Sequence, residues 1–111
     1  MDHGTQLKLL KYLEAHPQVS QRELAQHLGI SLGKANYCLR ALIGKGLVKA
    51  RNFKNSDNKR SYLYLLTPQG IERKATITVA FLQRKMEEYE ALKAEIAELR
   101  EDVVNNGGHE N

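Results

Sequence analysis

Where apolar residues recur along this chain, helical periods alternate with short stretches of strand period. Leu7, Leu9, Leu10 and Leu13 supply the core face of a first helix over about Thr5 to Ala15. Thr5 is its expected cap. His16-Pro17 ends it, because the residue before proline avoids helical backbone. Gln18-Val19 then reads as a short extended piece. Ser20 and Glu23 stand in the S-x-x-E spacing of a capping box, and Leu24, Ala25 and Leu28 follow at helical spacing. Gly29 stops that second helix, since only glycine takes a positive φ without steric cost. Ile30 plugs the turn, and Ser31 is a good N-cap for a third helix. There Leu32, Ala35, Leu39, Leu42 and Ile43 make the buried stripe, and Gly46 with Leu47 forms a Schellman-type stop. Two helices joined by so tight a turn are a helix-turn-helix.

From Leu47 to Phe53 the alternation shifts to period two, and Ser61 to Leu66 (Ser-Tyr-Leu-Tyr-Leu-Leu) is the best strand of the chain. The polar stretch 54–60 between them is rich in turn formers. This predicts a β-hairpin with a basic tip. Both faces of its second strand are apolar, so cover beyond the three helices is expected. Thr67 as N-cap and Pro68 at the first helical position open a last helix, which runs to about Val104. Its heptad places Ala75, Leu82, Tyr89, Ile96 and Val103 at one core position and Thr78, Lys85, Leu92 and Leu99 at the other. At 1.5 Å per residue such a helix reaches roughly 50 Å, more than one small domain can cover. A helix folded back on its own domain is the plainer alternative; a coiled coil with another chain is the better reading.

The expected architecture is therefore mainly α with a small β-hairpin (α+β): a winged helix-turn-helix over 1–67, a C-terminal coiled-coil dimerisation helix over 68–104, and a disordered polar, glycine-rich tail over 105–111. At 111 residues there is no room for a second, catalytic domain.

Charge sharpens the functional picture. Residues 1–70 hold 11 Lys and Arg against 4 Asp and Glu, while residues 71–111 hold 6 against 9, so the net charge of +4 is an excess of 7 cations in front and 3 anions behind. A basic front half that carries a helix-turn-helix points to a polyanion. On the third helix Lys34, Asn36, Tyr37 and Arg40 are left on the outward face, with the donors and acceptors that base reading needs. Gly33 lets backbone approach DNA closely, Ser31 opens the helix, and Gln21 and Arg22 sit at a helix N-terminus that favours a phosphate. Lys54, Asn55, Lys59 and Arg60 of the wing suit phosphates or the minor groove. An ordinary solvated helix face and a plain polar hairpin tip are the bland readings of these sets. Leu82, Tyr89, Leu92, Ile96, Leu99 and Val103 form the expected dimer seam.

Other chemistry finds no support in the pattern. His3, His16, His27 and His109 show no ligand spacing and Cys38 has no cysteine partner, so no metal and no cofactor are expected. No Ser/His/Asp set, phosphate loop or paired carboxylates can be assembled, which argues against an enzyme. Cys38 reads as a small hydrophobe, with a redox switch as the minor alternative. No apolar run approaches the roughly 20 residues of a membrane span, and one lone cysteine without a secretory signal points to the cytoplasm. The rival from another class is a winged-helix protein–protein adaptor that docks through its coiled coil, against which Lys34 and Arg40 weigh; RNA binding is weaker, for want of an exposed aromatic platform.

The stretches 20–25 (Ser-Gln-Arg-Glu-Leu-Ala), 29–43, 53–56, 62–71 and 81–89, together with the junction Leu66-Thr67-Pro68-Gln69-Gly70, resemble the MarR family of bacterial transcriptional regulators. Within it they resemble most a short subgroup, the exopolysaccharide-associated MarR-type regulators. The resemblance implies a homodimer that binds double-stranded DNA and controls transcription, here of polysaccharide biosynthesis genes. Two departures stand out. The family's additional dimerisation helices have no counterpart here, which removes much of the crevice where phenolic effectors bind and argues against a small-molecule effector. In the wing, Asn58 rather than Asp stands two places before Arg60.

Overall fold

A computed structural model of the chain describes residues 1–54 and 60–106, with backbone alone at 53–54 and 60–61. The element order is α1 (His3–Ala15), α2 (Gln21–Leu28), α3 (Leu32–Gly44), β1 (Val48–Lys54), β2 (Arg60–Leu66) and α4 (Pro68–Asn105). The chain divides into two compact units, Met1–Thr78 and Val79–Asn111.

The first unit is the winged helix-turn-helix. Leu9, Leu10 and Leu13 of α1, Leu24 of α2, Leu39 and Leu42 of α3, and Val48 and Tyr64 of the hairpin share one core. Its helix ends follow from local chemistry. The α2 capping box is complete: Ser20 Oγ accepts from the Glu23 N–H at 3.1 Å and Glu23 Oε1 accepts from the Ser20 N–H at 3.0 Å. Gly29 stands at φ +67°, and the Ile30 N–H donates to the Ala25 carbonyl at 3.0 Å. Gly46 at φ +75° ends α3; the Gly46 N–H reaches the Ile43 carbonyl and the Leu47 N–H the Leu42 carbonyl, each at 3.0 Å. These are the paired bonds of a Schellman motif.

Several expectations need correcting. The cap of α1 is Asp2, not Thr5: its carboxylate accepts from the Thr5 N–H at 2.7 Å, and the helix starts two residues earlier than expected. Leu32 and Ile43, expected in the core, are 44% and 38% exposed; Ala35, Cys38, Leu39 and Leu42 are the residues that α3 buries. Ile77, outside the heptad expected for the last helix, is only 2% exposed and so belongs to the core.

β1 and β2 pair antiparallel from Val48↔Leu66 to Lys54↔Arg60. Directly paired residues share a face, so Val48, Ala50, Tyr64 and Leu66 form the face toward the core, with Lys49, Arg51, Leu63 and Leu65 on the other. Leu63 and Leu65 are half-buried. The extended piece expected at Gln18-Val19 forms no strand, although the neighbouring Pro17 carbonyl accepts from the Tyr64 N–H at 2.8 Å.

The start of α4 is bound into this unit. Thr67 Oγ1 accepts from the Gly70 N–H at 3.0 Å and donates to the Gly46 carbonyl at 2.5 Å. Arg73 Nε donates to the buried Gln6 Oε1 at 2.9 Å, and Lys74 pairs with Glu14. The second unit consists of the remainder of α4, which ends at Asn105, so the first residue of the expected tail is still helical; residues 107–111 lie outside the described residues. No described helix is long and apolar enough to cross a membrane.

Candidate nucleic-acid interface

α3 turns its core residues Ala35, Cys38, Leu39 and Leu42 inward. At 100° per residue the opposite line runs through Gly33, Tyr37, Arg40 and Gly44. Tyr37 is 69% exposed, the most of any large apolar or aromatic residue among the described residues of this unit. Arg40 is exposed beside it. A Cβ built on Gly33 or on Gly44 would meet nothing within 4 Å, so both ends of the line are open for another surface to approach. Lys34 is exposed on one flank. On the other flank Asn36 is half-buried, and its Nδ2 donates to Gln21 Oε1 at 3.0 Å.

The turn presents further donors. Ser31 Oγ accepts from the Lys34 N–H at 3.1 Å as a cap, a role that does not use its hydroxyl proton. Gln21 is the first residue of α2. Arg22 follows it, exposed. The first N–H groups of a helix have no partner within it and favour an anion.

The structure thus brings Gln21, Arg22, Ser31, Gly33, Lys34, Asn36, Tyr37 and Arg40 onto the α2–α3 surface. The wing residues are placed only in part: Lys54 and Arg60 pair across the ends of β1 and β2, while Asn55 and Lys59 lie outside the described residues. Sequence reasoning passed over Leu32, whose exposure beside Gly33 adds an apolar group of the kind that touches a thymine methyl. Its place at the first helical position, ahead of the first full turn, was the available signal. It also passed over Lys49 and Arg51, both exposed on β1.

On α4, Leu82, Tyr89, Leu92, Ile96, Leu99 and Val103 are all solvent-facing, from 41% exposed at Ile96 to 63% at Val103, and Met86 joins them at 58%. Lys85, at a core position of the heptad, pairs with Glu88 of its own helix at 3.2 Å. Lys93 lies over the Tyr89 ring at 5.4 Å. Among the described residues no group of three or more His, Cys, Asp or Glu could hold a metal ion.

Residues 2–49 match the family model for winged helix-turn-helix DNA-binding. No curated protein sequence matches the chain. Solved structures with this fold include the PcaV transcriptional regulator from Streptomyces coelicolor in complex with its natural ligand, 19% identical over 93% of this chain and 74% of that one, with a TM-score of 0.65. A MarR transcriptional regulator from Methanosarcina mazei Go1 is 21% identical over 92% of this chain and 75% of that one, TM-score 0.63. A mutant of MepR from S. aureus, bound to an oligodeoxyribonucleotide, is 21% identical over 91% of this chain and 77% of that one, TM-score 0.59.

Proposed function

We propose that this protein is a sequence-specific, double-stranded-DNA-binding transcriptional regulator that acts as a homodimer through its C-terminal helix. The observation that carries the reading is the outward line of α3. It presents Tyr37 and Arg40 between two glycines with open space above them, on a helix whose other face is fully committed to the core. An enzyme would need a cleft with convergent reactive groups, whereas this surface is a convex helix suited to a major groove. The winged helix-turn-helix match over residues 2–49 supports DNA as the partner, and the regulators that share the fold support transcriptional control. Ser31–Arg40 would then enter the major groove. Lys54, Asn55, Lys59 and Arg60 of the wing would hold the flanking backbone, with Gln21 and Arg22 on a phosphate.

The seam supports the homodimer. Seven apolar or aromatic residues exposed along one stripe of one helix make a surface that soluble monomers avoid. Pairing with a second copy covers it and joins two weak half-site contacts, which raises avidity by roughly 10²–10⁴. Lys85 within the stripe is the kind of polar intrusion that fixes register or partner number. The resemblance of 20–25, 29–43, 53–56, 62–71 and 81–89 to exopolysaccharide-associated regulators extends the proposal to polysaccharide biosynthesis genes as targets, with the cytoplasm as its place of action.

The test is selection of duplexes from a random pool by the full-length protein, followed by titration of binding against salt. A dimer with about 6–10 phosphate contacts loses roughly 10³–10⁵ in affinity between 50 and 200 mM salt. Sedimentation of the full chain beside a Leu92→Glu/Ile96→Glu double variant reads the seam: the native chain is expected to be dimeric at micromolar concentration, and the variant monomeric with much weaker operator binding. Equal affinity for selected and random duplexes at every salt would remove the specific-regulator reading.

A further inference from the structure

The bond between Gln21 and Asn36 joins the first residue of α2 to α3, 15 positions on in the chain. Its chemistry is informative. The Asn36 carboxamide carries two N–H donors and an oxygen with two lone pairs. One N–H is committed to Gln21 Oε1, and among the described residues the second N–H and Oδ1 remain as a donor–acceptor edge. That edge matches adenine, which offers N6–H as donor and N7 as acceptor in the major groove. Both residues are half-buried, so neither side chain swings freely, and the bond selects one orientation of the Asn36 amide before DNA arrives. Gln21 keeps its Nε2 donors at a helix start, where phosphate is favoured. Tyr37 and Arg40 have no such tether among the described residues.

We propose that Gln21 is a positioning residue for base reading: by holding Asn36, it fixes that carboxamide toward one adenine of the operator and so sets the preference at a base pair it does not itself touch. The inference rests on the regulator reading above. It deepens it by dividing the interface into a preset reader, Asn36, and free readers, Tyr37 and Arg40. A preset group gives discrimination without the cost of ordering a rotamer-rich side chain at binding.

The test repeats the duplex selection with full-length wild type, Asn36→Ala, Gln21→Ala, Gln21→Glu and the Gln21→Ala/Asn36→Ala pair, each first checked for an unchanged helical spectrum. Asn36→Ala is expected to lose preference at one A·T pair, by roughly 5- to 150-fold. Gln21→Ala should lose preference at the same pair and keep it elsewhere, and the double variant should lose no more there than either single one. Gln21→Glu keeps the acceptor for Asn36 Nδ2, so it should retain the preference at that pair while binding every duplex more weakly through repulsion from phosphate. A Gln21→Ala protein that keeps the full preference at the Asn36 pair, or that loses it at a different pair, overturns the inference while the regulator reading stands. A wild type without any sequence preference overturns that reading, and this inference with it.

Discussion

Gly70 is the position at which one added carbon should cost most. It is the third residue of α4, and a Cβ built on it would overlap the Leu47 carbonyl oxygen and stand 3.0 Å from the carbonyl carbon. That carbonyl cannot easily move, because it accepts from the Thr67 N–H at 3.0 Å. Alanine normally outranks glycine in a helix by up to ~1 kcal/mol, so propensity alone predicts that Gly70→Ala stabilises. Against this stand overpacking, which costs ~1–3 kcal/mol, and the strained or broken Thr67–Leu47 bond, worth ~0.5–1.5 kcal/mol. The balance is a net loss on the order of 1–3 kcal/mol. For a domain of this size each kcal/mol shifts Tm by about 4–8 °C, so Gly70→Ala should melt roughly 5–20 °C lower. Gly44→Ala is the control: its added Cβ meets nothing within 4 Å, so it should melt at or slightly above wild type. Both are read by circular dichroism at one protein concentration, since the melting point of an associating chain depends on concentration. A Gly70→Ala protein as stable as wild type, or two variants that fall together, would refute the close-approach argument.

Acid sensitivity follows from the two helix-start carboxylates. Asp2 accepts the Thr5 N–H and Glu23 the Ser20 N–H, which holds both carboxyls below their ordinary values. A depressed folded pKa gives stabilisation that is complete above the ordinary carboxylate range and lost as pH falls through the folded values. Urea midpoints should thus be level above about pH 5.5 and fall below about pH 4.5, and Asp2→Asn, which keeps a capping oxygen without a titrating group, should show a shallower fall. Cys38, 2% exposed in the core, should resist thiol reagents until the protein unfolds, and Cys38→Ala should bind DNA with an unchanged response to oxidant. Peroxide that releases wild type from DNA while sparing Cys38→Ala would show a sensing role instead.

Most of the helix-turn-helix was legible because its signals are local. Ser20, Glu23, Gly29, Ser31 and Gly46 each fix a boundary through bonds spanning three to five residues, and such bonds leave their mark in adjacent letters. The long helix was legible through its Thr67-Pro68 start and its unbroken run of helix formers. What stayed hidden was tertiary. Asp2 capped α1 ahead of Thr5 because a carboxylate three residues before an N–H competes well with a hydroxyl inside the turn. Leu32 and Ile43 fit the apolar period of α3 yet fall at its edges, where no described residue of Met1–Thr78 covers them fully. Ile77 lies off the heptad because the first turns of α4 pack on their own domain, so the core contact and the proposed seam are two overlapping patterns in one helix. The Gln21–Asn36 bond could not be read at all, since it depends on how α2 crosses α3 rather than on either stretch alone.

The same overlap bears on how the proposed regulator would work. The end of α3 and the start of α4 are held by one chain of hydrogen bonds: Leu47 N–H to the Leu42 carbonyl, Thr67 N–H to the Leu47 carbonyl, Thr67 hydroxyl to the Gly46 carbonyl, and Gly70 N–H to the Thr67 hydroxyl. Arg73 on Gln6 and Ile77 in the core extend the anchorage along α4. The proposed seam lies in the same continuous helix, Pro68–Asn105. All of these bonds lie within Met1–Thr78, so the first turns of α4 belong to the same folded unit as the helix proposed to read DNA. The close fit of Gly70 on Leu47 is thus a requirement of that unit as much as the donors on α3 are.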